Sequence, residues 1–291
     1  MRRAALAPLL AAAIWGGLYV VSKWAFAAIP PLTLAFLRIA LGGGVLLAVV
    51  RTTKPSREFS RTDWRGFAIL AAWLTLSIAT QFVGTDLTNA SQGSVVTVLT
   101  PVFTLALGVV WFGESLSPRK LGGTALAVVG TVVLLSGQYD LASIAAGNLL
   151  GVGFLVVASG TFAAYTVFGT PLIRRYSALE TATYATCLSI PPFALLSAWE
   201  LSRGVGPIPL TVPVVAAVGY LGVVATAGAW YLWYKGLETV SAGTVAVFFF
   251  AQPAVGVALG AALLAEPVGP RFLAGATVMA VGVYLVASVN G

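Results

Sequence analysis

The sequence predicts an all-α integral membrane protein: ten transmembrane helices built as two inverted five-helix repeats. Three observations carry this. The chain is too poor in charge to cover a water-facing surface. It divides into ten apolar runs of membrane length, and one frame of residues occurs twice at a fixed offset.

Of 291 residues, 59% are hydrophobic and only 9% charged, where about a quarter charged is usual for a soluble domain. The apolar runs fall near 4–28, 32–50, 65–85, 92–112, 119–137, 148–171, 179–199, 211–235, 241–264 and 270–289. Crossing a hydrocarbon core of ~30 Å takes ~20 helical residues. Barrel strands would be shorter and would alternate in polarity, and these runs do not. The first run continues to Ile29, too long for a cleaved leader, so it reads as a retained helix.

With ten crossings, alternate loops share a side. Twelve of the sixteen basic residues, among them Arg2, Arg3, Arg51, Arg57, Arg119, Arg174 and Lys235, fall on one side, while Arg203 and Arg271 fall on the other. Cytoplasmic loops collect Lys and Arg. Both termini are therefore expected in the cytoplasm, and a bacterial cytoplasmic membrane is the expected location. The net charge of +7 is explained by this orientation and calls for no nucleic-acid partner. The expected partners are the lipid bilayer and a small-molecule substrate, with the chain acting as a monomer.

The chain has no histidine, and its single cysteine, Cys187, lies inside a run. The commonest general base and metal ligand are thus missing, and an intrachain disulfide is excluded. No aspartate dyad or metal cluster lies within the runs, so no enzyme chemistry, cofactor or metal is expected.

The repeat is explicit. PVFTLALGVVWFGE runs from Pro101 to Glu114 and PAVGVALGAALLAE from Pro253 to Glu266. Arg119, Gly123 and Gly130 follow the first frame; Arg271, Gly275 and Gly282 follow the second, at an offset of 152 throughout. Residues 1–140 and 147–291 are the expected repeat units. Five helices per unit is odd, so the second enters the membrane from the opposite side. This inverted plan is common among secondary transporters and suits alternating access.

These frames, with Trp15-Gly16 and Lys23 in the first run and Arg38 in LAFLRIALGGG of the second, resemble the drug/metabolite transporter superfamily, EamA type. The likeness spans the chain and is strongest to the YddG-like amino-acid exporters. It implies ten helices, no ATPase domain, and movement of small organic solutes, often outward.

Candidate site residues follow from polarity at membrane depth. A charge at mid-membrane costs ~2.5–3.5 kcal/mol on insertion scales and faces a cavity or partner unless it snorkels. Lys23 lies seven residues before Pro30 and Arg38 seven after Pro31, so both sit at one depth and are candidates to hold a substrate carboxylate. In the fourth run Ser94 and Thr97 share a face with Pro101, which frees the Thr97 carbonyl. Trp15 and Tyr19 are one turn apart in the first run, and Thr161 and Tyr165 in the sixth. Gln81, Trp230, Phe249 and Gln252 add polar or aromatic groups on the third, eighth and ninth runs. Packing within lipid is the alternative for the small polar residues. Glu114 and Glu266 are expected as gating residues on opposite faces, with Pro101 and Pro253 as the helix breaks behind them; simple interfacial ends are the alternative.

A mostly apolar wall with few polar anchors suits a neutral, partly apolar solute. The expected function is export of neutral and aromatic amino acids, or related small metabolites, by alternating access. A broad drug exporter of the same fold and a passive channel are the alternatives.

Overall fold

The computed structural model describes residues 3–54, 56–88, 93, 96, 99–115, 117–136, 148–204, 206–255 and 269–288. All regular elements among them are helical. Helix α1 covers Arg3–Gly16 and, past a break at Gly17, Leu18–Ala25. It is followed by α2 (Pro31–Thr53), α3 (Arg61–Leu87), α4 (Leu99–Phe112) and α5 (Pro118–Ser136). The second half holds α6 (Leu149–Arg175), α7 (Ala178–Leu201), α8 (Val212–Leu237), α9 (Ala242–Val255) and α10 (Pro270–Ala287).

Five of these helices, α1, α2, α3, α6 and α8, are long and apolar enough to cross a membrane, and α4, α9 and α10 are shorter apolar helices. Helix α7 has the length but carries a buried hydroxyl row, Thr181, Thr183, Thr186 and Ser189. Two of these hydroxyls donate to backbone carbonyls of other helices, Thr183 to Leu46 (3.4 Å) and Ser189 to Ala71 (3.2 Å). Protein, not lipid, is the environment this row is made for.

Helix starts are set by side-chain caps. Ser60 and Asp63 form a capping box on α3, Asn148 accepts from Leu150 and Gly151 at the start of α6, and Ser177 accepts from Glu180 at the start of α7. Each satisfies N–H groups that a first turn leaves unpaired. Caps also cross between halves. Glu200, at the end of α7, accepts from Leu32 N (3.1 Å) and Thr33 N (2.7 Å) at the start of α2. Within the second half, Glu238, just past α8, accepts from Ala178 N at 3.0 Å.

Ion pairs join loops that the parity of crossings puts on one side. Arg57 meets Glu180 at 3.3 Å and Arg175 meets Asp63 at 3.2 Å. This side, called the basic face below, is where α2, α4, α6 and α8 end.

Contacts between the halves include α1 with α8, α2 with α7, α3 with α6, α4 with α9 and α5 with α10, and also α2 with α8 and α3 with α7. Exchanging the two units maps this set onto itself, as two inverted five-helix repeats require. The repeated glycines are explained at the α5–α10 crossing. A Cβ on Gly130 would strike the Met279 backbone, and one on Gly275 the Leu134 backbone. One on Gly123 would come within 2.8 Å of the Gly282 carbonyl. Only glycine lets the two backbones approach this closely, the usual device where lipid supplies no hydrophobic drive.

Candidate functional site

The middle of α8, Tyr220–Gly228, is π-helical, with hydrogen bonds reaching five residues back. Such segments recur at functional sites, and here one builds the polar corner of a cavity. The Thr226 hydroxyl donates to Leu221 O, five positions back, at 2.7 Å. It also accepts from Arg38 Nε at 2.7 Å. Ala225 O accepts from Trp15 Nε1 at 2.8 Å and from an Arg38 Nη at 3.4 Å. Gly42, one turn beyond Arg38, lies so close to α8 that a Cβ would meet Thr226 at 2.5 Å. This close approach seats the guanidinium on the π-helical turn.

Arg38 is 2% exposed. Its guanidinium carbon sits 5.6 Å from the Phe82 ring centre, and no carboxylate pairs with it among the described residues. Four polar atoms lining the cavity have no hydrogen-bond partner: Arg38 Nη1, Trp230 Nε1, Gln252 Nε2 and Thr100 Oγ1.

The cavity lies between the halves. Residues of α1, α2, α3, α6, α8 and α9 line it, with Gly93 and Thr100 from the fourth run. It is a narrow cleft with room for about three waters. Arg38 is seven residues into α2 and Gln81 six residues before the end of α3. Both therefore lie about 11 Å or less from the helix ends opposite the basic face.

Toward the basic face the floor is aromatic. Trp15 has its ring centre 5.6 Å from Phe162, 5.4 Å from Trp233 and 5.5 Å from Phe249. Tyr165 stacks on Tyr234 at 5.0 Å, and Tyr165, Trp233 and Tyr234 are fully buried. The Trp233 indole N–H donates to Thr166 Oγ1 at 3.2 Å. These rings close the space beneath the cavity.

Seven residues expected from the sequence meet at this cavity: Trp15, Tyr19, Arg38, Gln81, Trp230, Phe249 and Gln252. The Gln81 amide donates to the Tyr19 hydroxyl at 2.7 Å. Lys23 does not join them. Its ammonium donates to Thr85 O (3.2 Å), Asp86 O (2.7 Å) and Thr88 O (3.0 Å). These are carbonyls at the end of α3, where the helix dipole favours a cation. Thr161 does not either; its hydroxyl bonds back to Val157 O at 2.7 Å within its own helix. Tyr165 belongs to the aromatic floor. The face of α6 turned to the cavity is instead Leu155, Ala158, Ser159 and Phe162.

Pro101 and Pro253 are buried in α4 and α9. Glu114 follows α4, with its amide on Gly108 O at 3.1 Å. Its carboxylate lies against Gly243 at the start of α9, with Oε2 buried and without a partner. No basic side chain pairs with it among the described residues. Ser94, Thr97 and Glu266 lie outside the described residues.

Sequence reasoning missed Thr226, Phe162, Ser77 and Ser159. The α6 pair lies on one helical stripe with Leu155 and Ala158. Ser77 donates to Ala158 O at 3.0 Å and Ser159 to Val96 O at 3.2 Å. These bonds join neighbouring helices along the wall.

Comparison with known proteins agrees with this architecture. A crystal structure sharing 20% sequence identity superposes with a TM-score of 0.81, covering 98% of each chain, which shows the fold. A probable amino-acid metabolite efflux pump of Salmonella typhimurium is 27% identical over 95% of this chain and 92% of its own. An uncharacterized transporter of Archaeoglobus fulgidus is 29% identical over 82% of each. A probable terminal-alkyne amino-acid exporter of Streptantibioticus cattleyicolor is 26% identical over 68% of this chain and 64% of its own. The profile of the EamA-like transporter family matches residues 2–136 and again 149–288, and the chain belongs to that family.

Proposed function

We propose that this transporter exports neutral and aromatic amino acids, or closely related metabolites, by alternating access, with Arg38 holding the substrate carboxylate. One observation carries the reading: a guanidinium 2% exposed, at membrane depth, lining a cavity between the halves and lacking a carboxylate partner among the described residues. Such a charge is costly unless something answers it. A substrate carboxylate answers it with charge-assisted hydrogen bonds. The neighbouring Trp15, Phe162, Trp230 and Phe249 suit an apolar or aromatic side chain. Relatives described as amino-acid metabolite efflux pumps and an amino-acid exporter support the substrate class.

In the proposed cycle the aromatic floor is the closed gate toward the basic face. Paired inverted halves then exchange shapes, opening the floor while the opposite end closes. The basic loops and both termini lie in the cytoplasm of a bacterial cell in this reading. Purified protein in liposomes tests it. Labelled neutral amino acids should exchange without ATP, and amino-acid amides, which lack the carboxylate, should compete poorly. Arg38→Gln should narrow that difference. Equal competition by acid and amide overturns the anchor, and the absence of amino-acid flux moves the reading to a drug exporter of the same fold.

A further inference from the structure

Among the described residues, the lining of the cavity carries one formal positive charge, on Arg38, and no carboxylate. Three of its four unpartnered polar atoms are nitrogen donors. The Arg38 guanidinium and the Trp230 indole can only donate; the Gln252 amide points its Nε2 without a partner, and the Thr100 hydroxyl is free to turn either way. Ala225 O, beside the cavity, already takes Trp15 and Arg38, and the Thr226 oxygen takes Arg38 Nε; the side-chain oxygens of Gln81 and Gln252 are neutral acceptors and carry no charge to match an ammonium. The aromatic rings are turned on one another. Trp15 is ringed by Phe162, Trp230, Trp233 and Phe249 at 5.4–6.0 Å, and Phe162 meets Phe249 at 5.0 Å. Little open ring face remains for a cation.

An amino acid brings an ammonium as well as a carboxylate. The carboxylate meets donors; the ammonium meets a guanidinium and gives up its water with no anion of the wall to replace it. A monoanion of the same shape leaves the cavity neutral and keeps every donor bond. Resting on the carboxylate anchor proposed above, we propose that the cavity recognises the acid group alone and dispenses with the α-amine. The 2-oxo and 2-hydroxy monocarboxylates that correspond to apolar amino acids are then substrates in their own right.

The test uses the full chain in liposomes preloaded with unlabelled solute. Counterflow of labelled phenylalanine is measured against phenylpyruvate, phenyllactate and phenylalaninamide, and counterflow of labelled phenylpyruvate is measured separately. The two deaminated acids should inhibit within about threefold of phenylalanine itself, and the amide at least about tenfold more weakly. Arg38→Gln should abolish inhibition by the acids. Arg38→Lys, which keeps the charge without the fork, should restore part of it. Phenylalanine flux that the deaminated acids fail to inhibit overturns this inference and leaves the amino-acid reading standing. Phenylpyruvate flux without phenylalanine flux does the reverse. Flux of neither defeats both.

Discussion

Replacing Lys23 by methionine separates a structural cation from a substrate-binding one. The change keeps the apolar stem and removes an ammonium that donates to Thr85 O, Asp86 O and Thr88 O at 3.2, 2.7 and 3.0 Å. A hydrogen bond from a charged donor contributes about 1.5–3 kcal/mol. The three bonds share one partly exposed ammonium, so they do not add. The expected loss is about 2 kcal/mol, or roughly thirtyfold in the folded-to-unfolded ratio. Denaturant unfolding in detergent, followed by the fluorescence of the eight tryptophans, reads this directly. Counterflow in liposomes should show half-saturation changed by less than about twofold, since Lys23 is outside the cavity wall. Discrimination between acid and amide should also survive. A variant as stable as the parent that no longer tells acid from amide would refute the placement and return Lys23 to the substrate.

Thr226→Val leaves Arg38 Nε unpaired and its fork unaimed, so half-saturation for the acid should rise about tenfold, with Thr226→Ser close to the parent in the same assay. Gly130→Val and Gly275→Val drive a side chain into the backbone of the facing helix and should sharply cut the yield of monodisperse protein on gel filtration. Gly44→Ala meets nothing within 4 Å and should raise stability by about 0.5–1 kcal/mol through helix propensity. In a Cys187→Ser background, a cysteine at Arg57 should be shielded from an impermeant maleimide in intact cells and one at Arg203 should label. The reverse pattern overturns the proposed orientation.

Much of the architecture was legible because lipid imposes it. A chain with 9% charge has few options, and the glycine frames announce a close crossing wherever they occur. Trp15 stood out because it lies one turn from Tyr19 in an apolar run, and Arg38 because a cation at membrane depth has to find a partner. Lys23 stood out for the same reason. Its partner is the end of α3, which lies beside it only after the helices pack. In α6, Thr161 and Tyr165 were chosen by polarity, yet the cavity face runs through Ser159 and Phe162. On a helix apolar all round, no contrast between faces tells the two stripes apart. The π-helical turn of α8 left no mark in VVATAGAW. A hydrogen bond that skips one residue further rotates everything after it, and no propensity scale encodes that.

The glycine crossing has a consequence for how such a chain could begin. Gly123 meets Gly282 and Gly130 meets Gly275, while Gly275 and Gly282 are the counterparts of Gly123 and Gly130 in the repeat. Position one touches position two of the other copy, and two touches one. This reciprocity is the signature of an isologous contact, the kind that holds identical subunits together about a two-fold axis. The α5–α10 seam thus has the form of a homodimer interface carried within a single polypeptide. At such a seam a substitution that suits one copy is met by a different neighbour in the other, so the two helices are free to diverge everywhere except where their backbones touch.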